Sequence, residues 1–277
     1  MQNAGLAALG LNWRYLAFEV RPENLREAIA GTKAMKFIGL NLTVPHKLLA
    51  FEMVDALDES AKAWGAVNTI RFEAKDEQGN WQPLKAFACE VRREIRSHGF
   101  NTDADAITRS LKEVLQFAAK GASAVVLGAG GAGRVAALKL AADGVATLFL
   151  VNRTTSKAEA VANEIHQRFP AVEARIGYPK NLQVDLLLNA TSLGLHALDP
   201  LPLDQTSFPL RNARCVYDMV YRPAETPLLR AAKSAGCRAA NGLGMLLHQG
   251  VKALELWTGQ PAPIKEMRAA LERNVYG

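Results

Sequence analysis

Short apolar runs alternate along this chain with longer stretches whose apolar positions recur every third or fourth residue, the pattern of strands and helices taking turns. Residues 15–20, 37–42 and 66–72 are predicted strands, and 23–30 and 47–63 are predicted helices. A helix is expected over 104–120. Beyond it come a strand at 123–127, a helix at 134–142, a strand at 147–151 and a helix at 156–169. Strands at 184–188 and 215–220 and helices at 227–235 and 245–257 complete the pattern. Alternation of this kind predicts an α/β chain with parallel sheets covered by helices on both faces. Residues 72–98 interrupt it, being rich in charge and carrying Gly79, Asn80 and Pro83. They are read as a surface hairpin with an appended helix near 89–96.

The most specific stretch is the second half's opening unit. Its apolar strand runs at once into Gly128, Ala129, Gly130, Gly131, Ala132 and Gly133, with GxGxxG spacing. Such a turn needs glycine in order to bend tightly, to bring backbone up to a pyrophosphate and to seat the next helix against the sheet. The helix start then offers free N–H groups and a positive dipole end to phosphate. A dinucleotide site of Rossmann type is expected, because strand and helix flank the glycines in the required order. The following strand ends at Asn152, Arg153 and Thr154, with Lys157 one turn on, where an NAD enzyme usually places a carboxylate for the ribose hydroxyls. Arginine there pairs with a 2′-phosphate, so NADP is the expected cofactor. Taken alone, Arg153 and Lys157 also fit a solvated helix start.

Composition narrows the class. The 277 residues suffice for two domains, and they hold no apolar run long enough to span a bilayer and no basic secretion start, which predicts a cytoplasmic protein. Three cysteines far apart, without CxxC spacing, indicate neither a disulfide framework nor a metal site. The net charge of +6 is spread along the chain, so nucleic acid is not an expected partner, and a small anionic ligand accounts for it more simply.

Polar clusters stand where strands should end: Asn41, Thr43, Pro45 and Lys47; Gly65, Asn68 and Thr69; Asn101, Thr102 and Asp103; and Asn241 to Gln249 at a late helix start. At the carboxyl ends of parallel strands such groups converge on one ligand crevice. The strings 41–47, 65–69, 101–103, 128–132, 152–154, 189–192, 217–221 and 242–249, in that order over nearly the whole chain, resemble the shikimate dehydrogenase family. The resemblance implies an NADP-dependent oxidoreductase interconverting 3-dehydroshikimate and shikimate, on the route to chorismate and the aromatic amino acids. It also implies a small α/β substrate domain, 1–103 plus 243–277, and a doubly wound NADP-binding domain of Rossmann type, 104–242.

Ketone reduction joins a hydride to the carbonyl carbon and a proton to its oxygen. Lys47 is the candidate acid/base, with Asp103 placing its ammonium and a substrate hydroxyl; Asp103 could equally cap the helix behind it. By resemblance, Asn41, Thr43, Asn68, Tyr221 and Gln249 bind the substrate. Glu59, Met219, Gly242 and Met245 border the nicotinamide side, and Thr191 and Ser192 face the cofactor. A monomer or a homodimer is expected, without a membrane partner.

The family normally opens with one more strand and a Ser-x-Ser-Pro loop that holds the substrate carboxylate, whereas Met1 to Gly5 here resemble the helix that follows that loop. The expectation is a chain starting at an internal methionine of a longer gene, the alternative a degenerate relative. Ala104 and Ala106 stand where the family commonly has glycine. Other readings in view are a quinate/shikimate or amino-shikimate dehydrogenase variant and a cofactor-binding relative without turnover.

Overall fold

The computed structural model describes residues 1–87, 94–196 and 198–277. The chain packs as two units, Met1–Asp103 with Gln249–Glu272, and Ala104–His248 with Arg273–Gly277. Each holds its own sheet.

The first unit begins with α1 (Gln2–Ala8) and α2 (Leu25–Ala34), then β1 (Gly39–Asn41), α3 (His46–Phe51), β2 (Ala56–Leu57), α4 (Glu59–Trp64), β3 (Thr69–Lys75), β4 (Trp81–Pro83) and β5 (Ile95–Phe100). Its sheet has the order β1-β3-β5-β2, with β4 beside β3. Only β2 and β5 are parallel; β3 runs antiparallel to β1, β4 and β5, so the sheet is mixed where alternation suggested a parallel one. Side chains of β3 alternate. Ile70, Phe72 and Ala74 enter a core with Leu25, Ile29 and Val67, which leaves Thr69, Arg71 and Glu73 on the opposite face.

Several expectations fail in this unit, each for a nonlocal reason. Residues 15–20 pair with no strand among the described residues; Leu16 and Phe18 are exposed, and the segment is tied down by side-chain bonds from Asn3 at Tyr15 and from His46 at Val20. The predicted helix 47–63 is three elements. It breaks where the Asp55 carboxylate accepts from Ser97 N at 2.7 Å and Lys33 Nζ at 2.8 Å, and restarts where Asp58 caps α4 through Ser60 N at 2.9 Å. The 72–98 region does form a hairpin, turned at Gly79 (φ 84°) with Asp76 Oδ1 accepting from Gln78 N and Asn80 N. Of the helix expected near 89–96, Ile95 and Arg96 instead start β5, a strand central to the sheet, while 89–93 lie outside the described residues. Charge hid that strand: Arg96 and His98 look solvated but bond to buried Glu73.

The second unit contains α5 (Asp103–Leu115), β6 (Ser123–Leu127), α6 (Gly131–Ala142), β7 (Thr147–Val151), α7 (Thr155–Arg168), β8 (Glu173–Ile176), β9 (Val184–Asn189), β10 (Ala213–Asp218), α8 (Pro227–Ser234), β11 (Arg238–Asn241), α9 (Leu243–Thr258) and α10 (Ile264–Tyr276); Asp103 of α5 and Gln249–Glu272 of the last two helices belong to the first unit. The helix expected over 104–120 ends early, because Gln116 takes a positive φ of 52°. All five ladders in the order β11-β10-β9-β6-β7-β8 are parallel, the doubly wound arrangement. Strands β8 and β11 extend it beyond the sequence-based reading. Val125, Leu127, Leu187, Val216 and Phe208 fill the core under the sheet. The order reverses at β6, with β7 on one side and β9 on the other, so the glycine turn leaves the sheet at its switch point, where such sheets bind ligands. No helix among the described residues is long and apolar enough to cross a membrane.

Candidate active site

In the first unit, the turn after β1 and the cis Val44–Pro45 bond lead directly into α3, which carries Lys47 in its first turn. Lys47 Nζ donates to Asp103 Oδ2 at 2.8 Å, an ion pair whose side chains keep 29% and 13% of their exposure, shielded yet reachable. Asn101 Oδ1 accepts from Asp103 N at 3.1 Å, so Asn101 serves the helix start and the Asp103 carboxylate is free to face the lysine.

Beside this pair runs a chain of neutral groups. Asn41 Nδ2 donates to Thr69 Oγ1 at 2.9 Å, Thr69 Oγ1 to Asn68 Oδ1 at 3.1 Å, and Asn68 Nδ2 to Thr102 Oγ1 at 3.0 Å. The Thr102 N–H also donates to Asn68 Oδ1, at 2.9 Å. Asn68 is buried and mostly occupied in holding β3 to the end of β5, which leaves one amide N–H for a ligand. Thr43 is exposed on the turn before α3. Glu59 is exposed at the start of α4 and pairs with Lys62 at 2.7 Å. Gln249 lies half-buried in α9, one turn after Met245.

In the second unit the glycines divide by role. Gly128 has φ 96°, a value that favours glycine, and a Cβ on Gly133 would strike the Gly128 carbonyl, so α6 could not approach the turn otherwise. Added Cβ atoms on Gly130 and Gly131 would meet nothing within 4 Å, which leaves the face of the turn open. Ala132 is exposed beside them. The first turn of α6 has no acidic residue. Asn152 Oδ1 accepts from Ala129 N at 2.9 Å, and its amide donates to Thr154 O at 2.8 Å, so Asn152 buttresses the glycine turn. Arg153 and Lys157 are exposed at the start of α7, likewise without an acid in its first turn.

The next two strand ends are tied together. Thr191 N and Oγ1 donate to Asn189 Oδ1 at 3.0 and 2.7 Å, and Ser192 follows exposed. Asn189 Nδ2 donates to Asp218 Oδ1 at 2.9 Å, and Thr226 Oγ1 to Asp218 Oδ2 at 2.6 Å. Burial raises the Asp218 carboxyl above its ordinary range despite these bonds. Met219 N donates to Asn189 O, and a Cβ on Gly242 would hit the Met219 carbonyl, so two backbones meet closely there. Tyr221 is partly exposed past β10. Buried Tyr217 is pushed up to about 12 by desolvation and shares a 2.9 Å hydrogen bond with Ser110. Asn189 and Asp218 lie within the strings 189–192 and 217–221 but carry no role in the sequence reading, and Thr226 lies outside every string; the available signal is Asp218, a carboxylate at an apolar strand end.

Comparison with known proteins agrees along the chain. Residues 1–70 match the shikimate dehydrogenase substrate binding domain, 110–193 the shikimate / quinate 5-dehydrogenase model, and 242–272 the shikimate 5′-dehydrogenase C-terminal domain. The shikimate dehydrogenase (NADP(+)) of Methanopyrus kandleri is 38% identical over 277 residues, 98% of this chain and 89% of that protein. Among solved structures, shikimate 5-dehydrogenase from Thermus thermophilus, in complex with NADP(H) and shikimate, has a TM-score of 0.78 at 33% identity, covering 98% of this chain and 92% of that one. Ligand-free 5-ketofructose reductase of a Gluconobacter species has a TM-score of 0.80 at 34% identity, covering 99% and 92%.

Proposed function

The chain belongs to the shikimate dehydrogenase family, and from that premise we propose that it reduces 3-dehydroshikimate reversibly to shikimate with NADP(H), using Lys47 as acid/base. The 2.8 Å pair of Lys47 and Asp103 carries this reading. When bound, the nicotinamide supplies a hydride to the ketone carbon. Lys47 Nζ gives its proton to the ketone oxygen, and in the reverse direction takes one from the hydroxyl. Asp103 accepts from the ammonium and so fixes its position for that transfer. The spare N–H of Asn68 and the half-buried Asn41 amide are suited to substrate hydroxyls.

The second unit fits a dinucleotide. Gly130 and Gly131 leave room for a pyrophosphate at the N-terminus of α6, where no acid opposes it. Arg153 and Lys157, exposed at the end of β7, suit a ribose 2′-phosphate and support NADP over NAD. Met219, Gly242, Met245, Thr191 and Ser192 would border the nicotinamide half, with Tyr221 and Gln249 on the substrate.

A second reading, reduction of a different polyhydroxy ketone, has one observation in its favour, the likeness to 5-ketofructose reductase. The test is NADPH absorbance with 3-dehydroshikimate, 5-ketofructose and dehydroquinate in parallel. The proposal expects 3-dehydroshikimate to have the highest kcat/KM and NADP to outperform NAD. A higher value for 5-ketofructose would transfer the site to the second reading.

A further inference from the structure

We infer that Tyr15 is a positioning residue of the substrate site, whose phenol holds the Asn41 amide with its oxygen toward the substrate's hydroxyl. The inference deepens the proposed function and rests on it. Tyr15 lies in the 15–20 segment that looks like a strand but pairs with none. The Tyr15 backbone is held instead by the side chain of Asn3. Asn3 Oδ1 accepts from Tyr15 N at 2.7 Å and Asn3 Nδ2 donates to Tyr15 O at 2.9 Å, so α1 grips both polar groups of that backbone residue as a neighbouring strand would. The ring packs 6.0 Å, centroid to centroid, from Trp257, whose Nε1 donates to Ile70 O at 2.9 Å. With backbone and ring both fixed, the phenol reaches Asn41 Oδ1 at 3.1 Å.

That contact completes a polar chain whose direction is set by the Asn68 carbonyl and the Thr102 N–H. Tyr15 O–H donates to Asn41 Oδ1, and the Asn41 amide nitrogen donates to Thr69 Oγ1 and, at 3.3 Å, to Asn68 O. A flip of the amide would set Asn41 Oδ1 against the Asn68 carbonyl, which can only accept, while the Thr69 and Tyr15 hydroxyls would both have to turn, so the observed orientation satisfies all three contacts at once. Both Asn41 N–H groups are then spent, and its oxygen keeps one lone pair. The side chain therefore offers an acceptor, able to read a substrate O–H. Tyr15 acts through Asn41 and touches no reacting atom, so its loss should weaken substrate binding and spare the chemical step.

The experiment is steady-state kinetics of Tyr15→Phe with shikimate and NADP. A rise of roughly two- to tenfold in KM for shikimate is expected, the scale of one neutral hydrogen bond, with kcat and KM for NADP nearly unchanged. In an Asn41→Ala background the same change should add nothing, because the group it positions is gone. Asn3→Ala, which frees Tyr15 without altering it, should move KM the same way and provides a second variant if the first folds poorly. An unchanged KM in Tyr15→Phe, or an undiminished further rise in the Asn41→Ala background, overturns the inference alone. A wild-type chain that does not turn over shikimate overturns the functional reading, and the inference falls with it.

Discussion

Glu73 on β3 and Asp218 at the end of β10 are both buried carboxylates, one in each unit, yet folding moves their protons in opposite directions. Burial by itself would raise Glu73, but hydrogen bonds from His98, Arg71 and Arg96, with the charge of Arg71, outweigh it and bring the carboxyl down to about 2. Arg71 and Arg96 also lie over the rings of Phe100 and Trp81. Around Asp218 the donors are the neutral groups Thr226, Val220 N and Asn189, too weak to offset burial. The first unit thus compensates charge with charge, in Glu73 as in the Lys47–Asp103 pair. At Asp218 the second unit uses dipoles instead, although it too pairs charges elsewhere, as Lys139 with Asp143, and it leaves Arg153 and Lys157 exposed after β7. Proton transfer suits the former and phosphate binding the latter, because a phosphate arrives with its own charge and needs donors that are not already neutralised.

Lys47→Ala sharpens the contrast most. A fall of roughly 10²- to 10⁴-fold in kcat is expected, the scale of a lost acid/base group, with NADP affinity by fluorescence titration nearly intact. Near-normal turnover would remove Lys47 from the proton transfer, and an equal loss of NADP affinity would mean the two units do not divide the work. Next in size is Glu73→Ala, which leaves two arginines facing each other without their acid and should cost about 3–5 kcal/mol of stability. The wild-type contribution has a defined sign. Because the folded carboxyl is depressed from 4.5 to about 2, its stabilisation is complete above the higher value and disappears as pH falls through the lower. Melting curves between pH 6 and about 2 should show the wild type losing stability that Glu73→Ala never had; parallel curves would refute the role of the cluster.

Arg153→Asp replaces the proposed partner of the 2′-phosphate with a repelling group, and on that proposal the NADP/NAD ratio of kcat/KM should drop by roughly ten- to a hundredfold. A ratio that does not move would make Arg153 a plain surface residue. The smallest effect belongs to Asp218→Asn. Its folded pKa is raised, so the carboxyl's contribution is present below its unfolded pKa and is lost as pH rises through the folded one. At neutral pH the amide should therefore be tolerated, within about 1.5 kcal/mol of wild type, and should remove that pH dependence. A large loss of stability would show that Asp218 is compensated as fully as Glu73 and would collapse the comparison.

The nucleotide unit was largely legible in the sequence because its signals are local. A buried parallel strand is a continuous apolar run, and Gly128 and Gly133 follow from a turn and a helix approach encoded within a few residues. Lys47 and Asp103 could be nominated as residue types at strand ends, and only the fold brings their atoms to 2.8 Å. Chain sequence alone could not arrange the first unit. Residues 15–20 read as a strand but have no ladder among the described residues, α3 and α4 are separated by bonds to Ser97 and Gly99, and β5 carries charges that Glu73 makes burial-compatible. Each of these outcomes depends on a partner more than ten residues away in the chain, as does the grip of Asn3 on Tyr15. Periodicity records which face of a segment is apolar. Whether that face finds a strand, a charge or a single asparagine is settled by tertiary contacts, whose energies outweigh local preference.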